Sequence, residues 1–322
     1  MNISRLLARN ILHSRKIKIF KIKNIPLSVF RIILLVGLSF LIISPIIFRL
    51  FNALKPMEEL YNPTVFLIPE QPTFDYVRDV LNFSEYSKTF FSTILFTLVN
   101  STLQIVSCTL VAYGIGRFKY WGRSIVYGAV FATLVVPTQT ILLPLYLQFS
   151  KFSIPNMFTL TAFKEGVSII NTYWPFVFMS ASALGLKNGL FIFLLSRFFK
   201  NMPDALEEAA YIDGCGALKT FVKIMLPASV TLIVTVFILS FVWTWNDNYY
   251  STFFGENMKI LSSMFSNIGS KIAYSLGERS NSLLIQIYNN TAAIIHMIPL
   301  IIIYIFGQQF LVQGVERSGI VG

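Results

Sequence analysis

Asn201-Met-Pro-Asp-Ala-Leu-Glu-Glu-Ala-Ala-Tyr-Ile-Asp-Gly-Cys-Gly-Ala-Leu-Lys-Thr-Phe-Val-Lys-Ile-Met-Leu-Pro227 is a polar island between long apolar segments. It holds Asp204, Glu207, Glu208 and Asp213, four of only 15 acidic residues in the chain. Charge gathered into one short loop of a greasy chain marks a surface that meets a partner. Asn201 is a candidate helix N-cap, Pro203 suits a first turn, and Asp204, Glu207 and Glu208 lie near the positive end of the helix dipole. Leu206, Ala209, Ala210 and Asp213 fall at i, i+3, i+4 and i+7, so the small alanine pair lets that face approach another surface closely. Gly214 and Gly216 then break the helix, and Leu218, Phe221, Val222 and Met225 resume helical spacing until Pro227 opens the next apolar segment. The expected element is helix, bend, helix.

The surroundings say what kind of chain carries this island. Of 322 residues 55% are hydrophobic and 13% charged, too little charge for a water-facing surface, so this is a polytopic membrane protein. The net charge of +11 sits at the membrane edges, with no basic, aromatic-interleaved motif, and excludes a nucleic-acid partner. Cys108 lies in an apolar span and Cys215 in the polar loop, at different depths, so no disulfide is expected. With His13 and His296 as the only histidines, no zinc constellation forms and no metal is expected. There is no Gly-x-x-x-x-Gly-Lys loop, and Gly114-Ile115-Gly116 lacks the third glycine of a dinucleotide turn, so nucleotide chemistry has to come from another chain.

Hydropathy and breakers set the order of segments. Residues 1–28 carry seven basic and no acidic residues, which keeps this arm in the cytosol and lets it touch anionic membrane lipid. The run at 29–49 is too long for a signal-peptide core and has no small-residue cleavage site, so it reads as an uncleaved first span. Residues 50–87, with Pro63, Pro69 and Pro72 and an excess of acids, belong outside. A core of five further spans occupies 88–311, at about 90–115, 124–148, 172–196, 227–245 and 291–310, followed by a cytosolic tail at 312–322. Each is long enough for the roughly 20 residues that cross about 30 Å of hydrocarbon. Pro137 and Pro144 interrupt the third span and Gly185 to Gly189 the fourth, where unpaired backbone needs water or neighbours. Segments assigned inside hold 16 of the 26 Lys and Arg and 5 of the 15 acids, the sign the positive-inside tendency requires. The expectation is an all-α membrane protein of six helices with both termini in the cytosol of a prokaryote.

Glu208-Ala209-Ala210, then Gly214, then Ile224 and Leu226-Pro227 is similar to the signature loop of ABC importer permeases. The extension through Asp213 and Gly214 resembles the carbohydrate, maltose-system type, with Cys215 where that family usually has Ala. Ala112-Tyr113-Gly114-Ile115-Gly116-Arg117-Phe118 is similar to the family's exit from its second span, and Gln309 to Gly314 with Gly319 to Gly322 to its ending, apart from Val321 in place of the usual Lys. The resemblance covers about residues 85–322. It implies the type I importer permease fold, with the loop as a coupling helix seated in a cytosolic ATPase dimer, which carries ATP and Mg. It further implies a second, homologous permease forming a heterodimer, an external sugar-binding protein, and no covalent chemistry on this chain.

Within that frame Glu208, Ala209, Ala210, Asp213, Gly214, Ile224, Leu226 and Pro227 are the expected ATPase-coupling residues. The Glu208 carboxylate can accept a charge-assisted hydrogen bond worth roughly 1.5–3 kcal/mol from a partner Arg. Lys187, the one basic residue deep in a span, reads as lining a water-filled path. Asn100, Gln104, Thr138, Gln139, Trp245, Asn246 and Asn248 are candidates to touch a sugar, amides pairing with hydroxyls and the indole stacking on C–H faces. Two other readings stay open: an importer permease for a non-sugar solute, and an ion-coupled secondary transporter. The last predicts carboxylates inside spans and an inverted repeat; no span interior has Asp or Glu.

Overall fold

A computed structural model describes residues 25–317 apart from 63, 66, 153–165, 186, 256–257, 265–266 and 279–280. The arm up to residue 24 and the tail from residue 318 lie outside the described residues, so of the expected family ending only Gln309 to Gly314 is described, inside the last helix, where Gly314 makes no turn. Two compact units are present, Met1–Tyr76 and Val77–Gly322. The described part of the first is built on α1 (Ile25–Leu54), followed by a turn in which the Lys55 ammonium donates to the Val65 carbonyl at 2.8 Å.

The second unit is α2 (Ser84–Arg117), α3 (Arg123–Val135), α4 (Thr138–Ser150), α5 (Trp174–Ala181), α6 (Asn188–Asn201), α7 (Ala205–Ile212), α8 (Val230–Trp245) and α9 (Ser282–Arg317), with shorter helices between. Among the described residues the only strand-like pairing is the isolated bridge of Phe152 with Val167. The 34-residue α2 is the spine, packed on α5, α6 and α8, while α9 packs on α8. Phe191, Leu195 and Phe199 of α6, Cys108 and Ala112 of α2, and Leu232 and Val236 of α8 form the core on which the polar loop rests. Close approach is set by small residues: a Cβ on Gly116 would lie 3.0 Å from Phe199 Cβ and from the Ser196 carbonyl, so any larger residue would push α2 and α6 apart there.

Among the described residues three helices are long and apolar enough to cross a membrane alone, Ser28–Leu54, Glu85–Arg117 and Ser282–Gly314, and there are up to five spans if each of two bent pairs counts as one. Each bend has a covalent cause. Val136 precedes a proline and is driven into the extended region (φ −67°, ψ 122°), so α3 and α4 meet at 104°. Pro227 has no N–H for the Lys223 carbonyl, and the ladder there widens into a π turn over Phe221–Met225, with Leu226 N–H bonding to the Phe221 carbonyl. The helical run Ala217–Ala228 then meets α8 at 76° across Ser229. Pro227 therefore ends the loop, and the fifth span begins three residues later than expected. The fourth expected span is two short helices, α5 and α6, parted at the Gly185 region where the sequence placed an interruption.

Candidate functional site: a clamped coupling loop

Asn201 is not the N-cap of the loop helix; it is the last residue of α6, and Asp204 takes the capping position of α7 without making a side-chain cap. Its carboxylate turns to Arg117 instead. Arg117 Nη2 lies 3.0 Å from Asp204 Oδ1 and 2.8 Å from Glu207 Oε2, with the arginine side chain 4% exposed, Asp204 84% and Glu207 14%. Nη1 donates to the Met202 carbonyl at 2.9 Å and the Phe199 carbonyl at 3.3 Å, and the Tyr113 hydroxyl donates to Glu207 Oε1 at 3.0 Å. The Tyr113 ring lies 4.7 Å from that of Phe221 and 5.5 Å from that of Phe199. Burial decides which contact matters: the exposed Asp204 pair is worth little, whereas removing one partner of the Glu207 pair strands a charge, at about 3–5 kcal/mol.

The far end of α7 is closed by glycine. Gly214 has φ +74°, its N–H bonds to the Tyr211 carbonyl at 3.0 Å, and the Cys215 N–H reaches back to the Ala210 carbonyl at 2.9 Å. These 5→2 and 6→1 bonds satisfy the last carbonyls, and only a residue content in the left-handed region supports them. A Cβ on Gly214 would touch nothing within 4 Å, so the demand is conformational and not steric.

This pinning divides the loop into two faces. Glu207, Ala210, Thr220, Phe221 and Met225 face the bundle, while Glu208, Ala209, Asp213, Leu206, Ile212, Leu218 and Val222 are exposed. Of the two apolar sets expected to act as units, both split. Ala210 is buried while Leu206 and Asp213 are not, and the π turn carries Phe221 and Met225 inward and leaves Leu218 and Val222 outside. Ile224 and Leu226 are partly buried against the core, and Pro227 is exposed. Among the described residues Glu208 and Asp213 form no ion pair.

The candidate path residues do not gather into an open channel. Asn100 and Gln104 are buried in a network that ties α2 to three neighbours. Gln104 Nε2 donates to Asn188 Oδ1, Ser240 Oγ donates to Gln104 Oε1 at 2.5 Å, Ser180 Oγ donates to Asn100 Oδ1 at 3.1 Å, and Asn100 Nδ2 donates to the Phe96 carbonyl at 2.8 Å. The cavity that Asn100 and Gln104 share with Ser180, Gly185, Thr244 and Tyr250 is about 20 Å³, room for one water and not for a sugar ring. Trp245 is fully buried; its ring stacks on His296 at 5.0 Å and Phe241 at 5.9 Å, and its N–H donates to the His296 carbonyl at 3.1 Å, so it packs α8 on α9 and offers no face to a solute. Lys187 is exposed in the break before α6, in the left-handed region at φ 60°. Gln139, Asn246 and Asn248 are exposed and Thr138 is half-buried; Thr138 and Gln139 sit beside the 104° bend and the two asparagines just past the end of α8, and none of the four meets the network.

Sequence comparison gives this arrangement its context. The pattern of the family described as binding-protein-dependent transport system inner membrane component matches residues 108–317, well over half of the chain. The chain belongs to that family. It is similar to the arabinooligosaccharides transport system permease protein AraQ of Bacillus subtilis (strain 168), 26% identical over 315 residues, covering 94% of this chain and 98% of AraQ. It is also similar to the melibiose/raffinose/stachyose import permease protein MelC of the same strain, 25% identical over 257 residues, covering 80% of this chain and 84% of MelC. The fold matches a chain in the crystal structure of a bacterial ABC transporter involved in the import of the acidic polysaccharide alginate. The TM-score is 0.73 at 18% identity, covering 89% of this chain and 97% of that one. This is a multi-pass inner-membrane permease of an ABC importer, a transport subunit and not an enzyme, working with an ATPase and a substrate-binding protein.

Proposed function

We propose that this chain is one of two unlike permease subunits of an ATP-driven importer for a sugar or oligosaccharide, with both termini in the cytosol and 201–227 docked on an ATPase dimer that binds ATP and Mg. The observation that carries the proposal is the two-faced loop: Arg117 and Tyr113 fix Glu207 to the end of α2, while Glu208 and an exposed apolar set including Ile212 and Leu218 are left for a partner. A carboxylate ringed by apolar side chains suits a partner cleft with an arginine at its floor. Glu208, Ala209, Ala210, Asp213, Gly214, Ile224, Leu226 and Pro227 act together as the coupling element. Ala210 and Gly214 shape it, Ile224 and Leu226 anchor it, Pro227 sets the bend, and Glu208, Ala209 and Asp213 form its contact face.

ATP-driven closure of the ATPase pair moves α7; because Glu207 is held by Arg117, the cytosolic end of α2 moves with it, and the bundle tilts to open outward to the loaded binding protein. In the closed arrangement Asn100 and Gln104 brace the bundle, and Gln139, Thr138, Asn246 and Asn248 are the groups placed to meet a solute. The carbohydrate reading is supported by the relatives that import arabinooligosaccharides and raffinose-type sugars. Uptake of labelled oligosaccharide into vesicles carrying the whole complex tests it. Transport should require ATP inside and binding protein outside and should ignore ionophores; uptake that collapses with the proton or sodium gradient and persists without ATP rejects the reading.

A further inference from the structure

Next to Arg117 in sequence, Ile115 and Gly116 at the end of α2 line a cleft of about 370 Å³ between α2, α3 and α6. That is within the range of about 300–1,000 Å³ typical of small-ligand sites. Its wall carries Arg123, Arg197 and Lys200, and among the described residues none of the three pairs with a carboxylate. Arg123 is held in place by donating to the Gly116 carbonyl at 2.8 Å, and Arg197 lies 5.6 Å over the Phe193 ring. Tyr127 lines the same cleft with its ring, while its hydroxyl is buried without a hydrogen-bond partner among the described residues. Ser124 and Ser196 add hydroxyls, and the N-terminal turn of the 13-residue α3 adds its positive end.

Three cations without a carboxylate partner around one cleft call for an anion with several acceptor oxygens. The source is set by what flanks the cleft. α3 has no buried residue, Ile125 and Val126 next to Arg123 are 71% and 40% exposed, and Trp121 on the preceding turn is 96% exposed. Apolar side chains beside a cationic cup, with an indole at the rim, are the pattern of a site that takes a phosphate at its mouth and acyl chains along its flank.

We propose that this cleft binds the phosphate head group of an anionic phospholipid, with Arg123, Arg197 and Lys200 on the phosphate oxygens. Its assignment to the inner leaflet rests on the topology given under Proposed function; the binding itself does not. A lipid held there would touch α2 and α6 one turn from the Arg117 clamp, joining the membrane to the helices that move.

The test uses the full chain in detergent micelles doped with equal amounts of phosphatidylglycerol and phosphatidylcholine, with retained lipid read by native mass spectrometry. Wild type should keep one phosphatidylglycerol in preference. Arg197→Gln with Lys200→Gln should lower that preference by about fivefold for each cation removed. Arg197→Gln alone should lower it about fivefold and serves if the double variant fails to fold. Lys88→Gln with Lys259→Gln, removing as much charge elsewhere, should change nothing. Equal retention of both lipids by wild type, or undiminished preference in the cleft variants, overturns the proposal. So does release of the lipid by about 10 mM inorganic phosphate bound in its place, which would make the site one for a free anion. No ATPase is present in this measurement, so its failure leaves the coupling reading intact, and loss of ATP-driven uptake leaves the lipid result intact.

Discussion

Two polar clusters hold this bundle together, and they are built on different principles. Around Gln104 the groups are neutral amides and hydroxyls, deep between four helices, with each partner buried. Around Arg117 the groups are charged and sit at the helix ends, with Glu207 nearly enclosed and Asp204 in the open. Neutral groups can be buried at modest cost when paired, whereas an ion pair tolerates burial only near an edge where water takes up the remainder. The deep cluster therefore sets which helices stay together, and the edge cluster fixes α7 to the cytosolic end proposed for α2.

Charge reversal strikes the edge cluster hardest. Arg117→Glu faces Glu207 with a like charge in a nearly buried site, and should destabilise the fold by about 3–5 kcal/mol and abolish uptake. Adding Glu207→Arg on the same chain should return much of the melting temperature; a double variant no more stable than the single one would mean that the pair is not what holds α7. Glu208→Lys separates the two faces of the same helix. Uptake should be lost while stability stays within about 0.5 kcal/mol of wild type, since the residue is exposed and forms no ion pair. Wild-type uptake in that variant removes Glu208 from coupling.

In the deep cluster Gln104→Leu leaves Asn188 and Ser240 without their partner and should cost about 1–3 kcal/mol, seen as a lower melting temperature with ATP-driven uptake reduced only in proportion to folded protein. A specific loss of uptake at normal stability would return Gln104 to the solute's route. The smallest effect is expected at Lys187, whose left-handed backbone disfavours a β-carbon by roughly 1 kcal/mol. Lys187→Gly should raise the melting temperature slightly and leave uptake unchanged, and a large fall in uptake would place the ammonium on the path after all.

The loop is legible in the sequence because it breaks the composition of everything around it: a chain of long apolar runs gathers four acids and two glycines in one place only where it leaves the membrane to meet something polar. The role of Gly214 is also readable, since the residues before it form a helix and a left-handed glycine is the ordinary way to end one. Which acids turn inward is not readable, because Arg117 lies 90 residues from Glu207 in sequence and nothing local ties them. The exit from Ala112 to Phe118 contains the signal in the form of a lone arginine leaving an apolar span opposite a surplus of acids. Trp245 misleads for a simpler reason: an indole that stacks on a sugar and one that stacks on His296 look alike in sequence. Phe221 and Leu218 group together on a helical wheel because periodicity assumes 3.6 residues per turn, and the π turn forced by Pro227 breaks that count.

Gly116 leaves no slack. With the backbones of α2 and α6 touching through the space a side chain would fill, a displacement delivered to either helix at this level has no soft layer in which to be lost. On the proposed coupling such a contact would transmit movement stiffly, and an alanine there, its Cβ 3.0 Å from Phe199 Cβ and the Ser196 carbonyl, would part the two helices without changing any charge.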